Sequence, residues 1–258
     1  MGRAKRTAGL FRFWRHLAYH RHIIKHVRWT TADEQRLRFY SKLFAPGDLV
    51  FDVGANMGNR SKIFRAAGAR VIAFEPQSYC ARFLDVAFRG DPEYRLVREG
   101  LSNREGEVTM QLSDMHVLSS IDPEWIGRMQ DGGRFSDTRW DRTETIRVTT
   151  LDRCIERFGL PAFVKIDVEG HEYSVIQGLS QPVAMLSLEF ASESIGNICN
   201  CIDHLDGLGR HEYRLSMGES MQFEDAAWND GSTAKGLLQQ AVDADPLAWG
   251  DLYARHAG

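Results

Sequence analysis

The segment Leu49-Val50-Phe51-Asp52-Val53-Gly54-Ala55-Asn56-Met57-Gly58-Asn59, followed by Val71-Ile72-Ala73-Phe74-Glu75-Pro76, constrains this chain more than any other. An apolar run ending in an acid and a glycine turn, then a second apolar run ending in another acid, describes two strands that bring carboxylates to one nucleotide pocket. Gly54 and Gly58 let the backbone pass tightly from strand to helix, where a side chain would collide with a ligand and helix amides can face ligand oxygens. Glu75, closing the second strand, is placed to accept hydrogen bonds from both ribose hydroxyls of an adenosine. A dinucleotide fingerprint requires glycine at all three positions of G-x-G-x-x-G, so that a pyrophosphate can approach the backbone. Counting from Gly54, the other two positions hold Asn56 and Asn59. The pattern therefore disfavours NAD. It suits S-adenosylmethionine, which has no phosphate and carries a sulfonium and an ammonium that the Asp52 carboxylate would attract.

The repeated strand–helix pattern predicts an α/β fold with a doubly wound, mostly parallel sheet. A helix is expected from Ala32, capped by Thr30 or Thr31, with Asp33 and Glu34 favourably placed in its first turn. Strands follow at 49–53, 70–74 and 94–97, with helices between them, and a further strand at 107–112. Residues 113–143, rich in Gly, Asp and Arg with scattered Trp125, Phe135 and Trp140, are expected to form an irregular acceptor-binding lid with one short helix at 123–129. A buried strand at 163–166 delivers Asp167, and Gly170 gives a sharp entry into the next helix. Met185-Leu186-Ser187-Leu188-Glu189-Phe190 reads as the following strand, which brings Glu189 to the same edge as Asp167.

Five ordered segments resemble the FkbM-type methyltransferases: Phe51-Asp52-Val53-Gly54-Ala55-Asn56-Met57-Gly58, Phe74-Glu75-Pro76, Leu101-Ser102-Asn103, Thr150-Leu151-Asp152, and Val164-Lys165-Ile166-Asp167-Val168-Glu169-Gly170-His171-Glu172. The last is the most specific. The resemblance runs over about residues 45–189. It implies a class I methyltransferase (Rossmann-like) sheet, S-adenosylmethionine as donor and a hydroxyl oxygen as acceptor. It also implies cofactor contacts along Asp52, Gly54, Ala55, Asn56, Gly58 and Asn59, at Glu75 and Pro76, and beside the adenine at Leu101 and Ser102. The acceptor class, a sugar, glycan or related natural product, rests on this resemblance alone.

Methyl transfer is an in-line displacement, so an acceptor oxygen must be aligned and lose its proton. Asp167, Glu169 and His171 are the expected catalytic groups, and His116, Ser119, Ser120 and Glu189 are expected near the acceptor. Each has a plainer reading: Asp167 as organiser of the cofactor amine, Glu169 as a helix-terminus charge, His171 as a turn cap. Asp167 and Glu189 together offer oxygen ligands for Mg²⁺. No third close acid is evident in the sequence, so a metal-free site is expected.

Charge is uneven. Residues 1–28 hold eight Lys and Arg, four His and no acid, which leaves 24 basic and 35 acidic residues in the rest, a net of −11. An apolar stripe through Leu10, Phe13, Trp14, Leu17 and Ile24 predicts an N-terminal amphipathic helical extension over 1–29. Such a helix suits peripheral contact with an anionic membrane, or covers the core, or pairs with another subunit. No apolar run reaches signal-peptide or transmembrane length. Four cysteines without metal spacing point to a reducing cytoplasm, with membrane contact at its inner face. The methyltransferase domain is expected over 30–217, with 218–258 as an extension packed on the core. Nucleic acid is an unlikely partner, since the arm shows no base-reading module and the chain no Asp-Pro-Pro-Tyr type motif. The competing reading is a catalytically silent module that binds a partner or membrane through its basic helix.

Overall fold

The computed structural model describes residues 28–113, 118–131 and 138–258. The basic amphipathic arm and its membrane contact, and His116, lie outside the described residues.

The first element, α1 (Thr31–Tyr40), starts one residue before the expected Ala32, with Thr30 as its cap. Thr30 accepts from the Asp33 amide, and Asp33 accepts back from the Thr30 amide, forming a capping box. The chain then alternates strands and helices: β1 (Leu49–Val53), α2 (Asn59–Ala66), β2 (Arg70–Phe74), α3 (Ser78–Ala87) and β3 (Tyr94–Val97). Two short segments, β4 (Gly100–Leu101) and β5 (Gly106–Leu112), precede α4 (Pro123–Asp131), β6 (Arg142–Thr149) and α5 (Leu151–Phe158). The final part runs β7 (Phe163–Ile166), α6 (Glu172–Gln177), β8 (Met185–Ala191), α7 (Ile195–Leu208), β9 (His211–Met217), α8 (Gly231–Ala244) and β10 (Trp249–His256).

The main sheet has the order β3-β2-β1-β7-β8-β10-β9. Its first five strands run parallel, while β10 pairs antiparallel with both β8 and β9. The chain builds outward from β1 to β3 and then returns to β7 on the other side. The crevice at the carboxyl ends of β1 and β7 is thus the topological switch point, where open α/β sheets bind ligands.

Both faces are covered, which explains the near-continuous apolar character of β1 and β7. On one face Val50, Val71 and Phe163 pack against Tyr40 of α1, Phe64 of α2 and Phe83 of α3. On the other, Phe51, Phe74, Leu186 and Leu252 meet α5, α6, α7 and α8. Each fully buried side chain of this size contributes roughly 1.5–3 kcal/mol.

Two features differ from the sequence-based expectation. Residues 142–149 form a strand that pairs with β4 and β5 in a small second sheet of order β4-β6-β5. The alternation of buried Ile146 and Val148 with exposed Arg147 was its available signal. Residues 218–258, expected as an extension packed on the core, supply α8 and a strand inside the main sheet. Polar Asp251 and Arg255 within β10 obscured that strand, and Asp251 proves to be buried in an ion pair. No helix among the described residues is long and apolar enough to cross a membrane.

Candidate active site

A cavity of about 410 Å³ opens at the switch point, within the range of small-molecule sites. Its wall includes Asp52, Gly54, Ala55, Asn56, Asn59, Glu75, Pro76, Leu101, Ser119, Asp167, Glu169, His171 and Glu189. Asp52 and Glu75 therefore share one cavity. Gly58, Ser102 and Ser120, expected at the site from the sequence, are not among its lining residues.

The loop after β1 is fixed by the second strand. The Glu75 carboxylate accepts from the Asn56 amide and the Gln77 amide, each at 2.7 Å, and holds Asn56 in a left-handed conformation (φ 48°) that Asn tolerates. Burial pushes the Glu75 pKa up to about 7, against the pull of those two amides. Asp52, at the end of β1, accepts from the Ser61 hydroxyl at 2.5 Å, and burial likewise raises it to about 6. Gly54 answers to the neighbouring strand: a Cβ there would lie 1.8 Å from the Asp167 carbonyl oxygen. Gly58 is set by α3, since its Cβ would meet Phe88 and Leu84 within 3 Å. Both glycines are required by packing within the protein, before any ligand is considered.

The loop after β7 is held from several sides. Glu169 (φ 54°) and Gly170 (φ 91°) both adopt left-handed backbone, which costs about 1–2 kcal/mol at the non-glycine position. The buried Glu172 carboxylate accepts from the Val168 and Gly170 amides at 3.1 and 3.3 Å. Ser120 donates to the Glu169 carbonyl at 2.7 Å, and Asn197 donates to the Gly170 carbonyl at 3.3 Å. Trp125 packs where a Gly170 Cβ would be, at 2.3 Å. These contacts lock the direction in which Glu169 presents its side chain.

Behind the cavity Lys165 is fully buried, with its ammonium 2.8 Å from Asp251 and 3.4 Å from Asp167. Burial opposes its charge, but Asp167 and Asp251 hold its pKa well above the ordinary value. Burial would raise Asp167 as well, yet Lys165 and a hydrogen bond from Glu189 keep it below the usual range. Glu169 and Glu189 are pushed well above theirs by burial and by the Asp167 charge. Ligand oxygens of Asp167, Glu169 and Glu189 lie within 4.8 Å of one another. Glu169, expected from the sequence as a catalytic group, is thus also the third close acid that the sequence did not reveal as a possible ligand, because its side-chain placement depends on the left-handed loop. Such a trio of oxygens could hold a hard divalent cation.

His171 contacts the Ser102 hydroxyl through Nε2 at 3.1 Å, and burial lowers its pKa to about 4. It is neutral near pH 7 and a weak proton acceptor. Ser119 accepts from the Ser113 amide at 3.1 Å at the cavity wall. Sequence pattern did not single out Arg36, Arg60, Glu219 or Trp249, which also line this cavity. Arg36, Arg60 and Glu219 come from separate elements brought together only by tertiary packing, whereas Trp249 opens the unrecognised strand β10.

The residues present fit S-adenosylmethionine. Among the described residues the lining holds six acids, Asp52, Glu75, Asp167, Glu169, Glu189 and Glu219, against Arg36 and Arg60, and Glu219 is itself ion-paired with both arginines, so carboxyl groups dominate the rest of the wall. That favours a sulfonium and an ammonium and opposes a pyrophosphate. The second lone pairs of the Glu75 oxygens remain able to accept ribose hydroxyls.

Sheet order, switch-point cavity and acidic strand ends together give this chain the fold of the class I, S-adenosylmethionine-dependent methyltransferases. The methyltransferase FkbM domain matches residues 52–206, and the chain belongs to that family. It is 28% identical over 146 residues to the hexuronic acid methyltransferase AglP of Haloferax volcanii, covering 55% of this chain and 54% of that protein. The chain thus spans about half the length of the curated relative it matches. Among solved structures, it is similar to a precorrin-6Y C5,15-methyltransferase from Geobacter metallireducens, with TM-score 0.45, 9% identity and coverage of 86% and 87%. A TehB-like S-adenosylmethionine-dependent methyltransferase from Corynebacterium glutamicum gives TM-score 0.40, 10% identity and coverage of 98% and 99%.

Proposed function

We propose that this chain methylates a hydroxyl oxygen of an uncharged sugar or glycan, with Glu169 as the group that accepts the hydroxyl proton. The observation that carries this reading is a second cavity, of about 500 Å³, that meets the first at Glu169, Glu189 and Trp249. A donor in one cavity and an acceptor in the other would face each other across these carboxylates. The second cavity is walled by Leu118, Trp125, Phe190, Leu247 and Trp249, and Trp249 is 40% exposed. An exposed indole gives the apolar face of a sugar ring a surface to stack on. The hexuronic acid methyltransferase relative supports a sugar acceptor. Among the described residues, however, this cavity's ionisable groups are Glu169, Glu172 and Glu189, each with its pKa raised by burial, and no Lys or Arg lines it, so an acceptor carboxylate would find no cationic partner there.

S-adenosylmethionine supplies, when bound, an activated methyl group on a sulfonium. Glu75 and Asp52 would take the ribose hydroxyls and the ammonium. Glu169 and Glu189 are held protonated more strongly than ordinary carboxyls, and a cation placed next to the trio favours their ionised forms. Glu169, fixed by Ser120, Glu172 and Trp125, is then aligned to accept a proton from a hydroxyl entering through the second cavity. Neutral His171 packs against Ser102 and steadies the loop. The route is metal-free, with Lys165 as the standing counter-charge.

The test is a mass-spectrometric screen for gain of one methyl group on neutral glycosides and hexuronates. Oxygen methylation of a neutral sugar, reduced on the order of 10²–10⁴-fold by Glu169→Gln, is the expected result. Unchanged turnover in that variant would remove Glu169 as the base, and exclusive use of hexuronates would remove the neutral acceptor. Activity should persist in EDTA; loss in EDTA that Mg²⁺ restores would make the trio a cation site instead.

A further inference from the structure

Once the acids of the first cavity are matched to the ribose and the ammonium, the carboxylate at the methionine end of the donor still needs a cationic partner. Among the described residues lining that cavity, the cationic side chains are Arg36 of α1 and Arg60 of α2. Arg60 directly precedes Ser61, the residue whose hydroxyl holds Asp52. Both guanidinium groups reach the carboxylate of Glu219, from the turn after β9. Arg60 donates to its Oε1 at 2.7 Å, and Arg36 donates to its Oε2 through Nε and an Nη, both at 3.2 Å. Arg36 also donates to Asp33 through its other Nη at 3.1 Å.

This arrangement already is a carboxylate clamp, filled from within the chain. Its occupant is the more accessible member: the Glu219 side chain is 42% exposed, against 21% for Arg36 and 15% for Arg60. Glu219 also follows Gly218 (φ 53°) in an irregular turn, so its side chain can swing out at little cost to the sheet. Among the described residues the buried Nε of Arg60 has no partner, so its guanidinium is not saturated by the protein.

We infer that Arg60, assisted by Arg36, is the subsite for the amino-acid carboxylate of the donor, and that Glu219 occupies this subsite until the donor displaces it. The inference rests on S-adenosylmethionine occupying the first cavity. It goes beyond that reading by naming the residues that distinguish an intact donor from its nucleoside fragment. An acidic acceptor could present a carboxylate to the same arginines, and the experiment separates the two sources.

Calorimetry on the full chain uses two probes: S-adenosylhomocysteine, and 5′-methylthioadenosine, which shares the adenosyl thioether but lacks the amino-acid end. Arg60→Gln should weaken S-adenosylhomocysteine at least tenfold and leave 5′-methylthioadenosine within twofold, with partial recovery in Arg60→Lys. Glu219→Gln should tighten S-adenosylhomocysteine severalfold, because it removes an internal competitor; a merely structural Glu219 would give a loss. Should Arg60→Gln fail to fold, Arg36→Gln should show the same selectivity with a smaller drop. Equal weakening of both probes, or of neither, overturns the assignment. An unchanged S-adenosylhomocysteine affinity with a raised KM for hexuronates alone assigns the arginines to the acceptor instead. Wild-type protein that binds neither probe would sink the donor reading itself.

Discussion

Replacing Glu75 by Gln tests whether a buried carboxylate is retained here for its ligand at a cost to the empty fold. In the ligand-free protein, burial moves its pKa from an ordinary 4.5 to about 7. The folded chain therefore holds this proton more tightly than the unfolded chain. Stability from this group is intact at and below pH 4.5 and is lost as pH rises through 7, so ionisation destabilises the fold. Between pH 5 and pH 8 the loss is about 2.5 kcal/mol. Glu75→Gln does not titrate and escapes that loss. It incurs a separate penalty of about 1–3 kcal/mol, because an amide NH₂ would face one of the two amides that Glu75 now accepts from. That penalty is the same at every pH. The difference in Tm, variant minus wild type, should thus rise by about 5–10 °C from pH 5 to pH 8. Differential scanning fluorimetry of the apo proteins measures it, while calorimetry should show S-adenosylhomocysteine binding at least tenfold weaker in the variant. A Tm difference that stays flat with pH would refute the reasoning.

Lys165→Met leaves Asp251 buried without its partner and should cost about 3–5 kcal/mol in urea unfolding. The double variant Lys165→Met/Asp251→Leu should regain most of that, and a single variant losing less than 1 kcal/mol would contradict the buried pair. Gly54→Ala, which sets a methyl 1.8 Å from the Asp167 carbonyl oxygen at φ 81°, should destabilise by about 4 kcal/mol or more, measured by the urea midpoint. Near-wild-type stability would mean that β1 and β7 do not approach as described.

The strands that carry Asp52, Glu75, Asp167 and Glu189 were legible because each follows an apolar run, and in a doubly wound sheet such residues share one edge. What stayed hidden depends on long-range geometry. Asp251 lies far along the chain from Lys165, and no local pattern links a lysine within an apolar strand to an acid in an antiparallel one. Glu169 joins the carboxylate trio only because Glu172, Ser120 and Trp125 force a left-handed turn. The meaning of Gly54 was half legible: its tightness was clear, but the neighbour that demands it is a strand of the same protein. Polar residues within β6 and β10 weakened the alternation that marks a half-buried strand.

The position of β10 has a consequence for the order in which this protein can assemble. During synthesis β8 emerges with an open edge, and β9 has no strand beside it until residues 249–256 leave the ribosome. Until then Lys165 also lacks the nearer of its two carboxylate partners, Asp251, and keeps only Asp167, while the facing edges of β8 and β9 stay unpaired. Completion of this half of the sheet therefore waits for β10, which makes loss of this short strand far more damaging than its length implies.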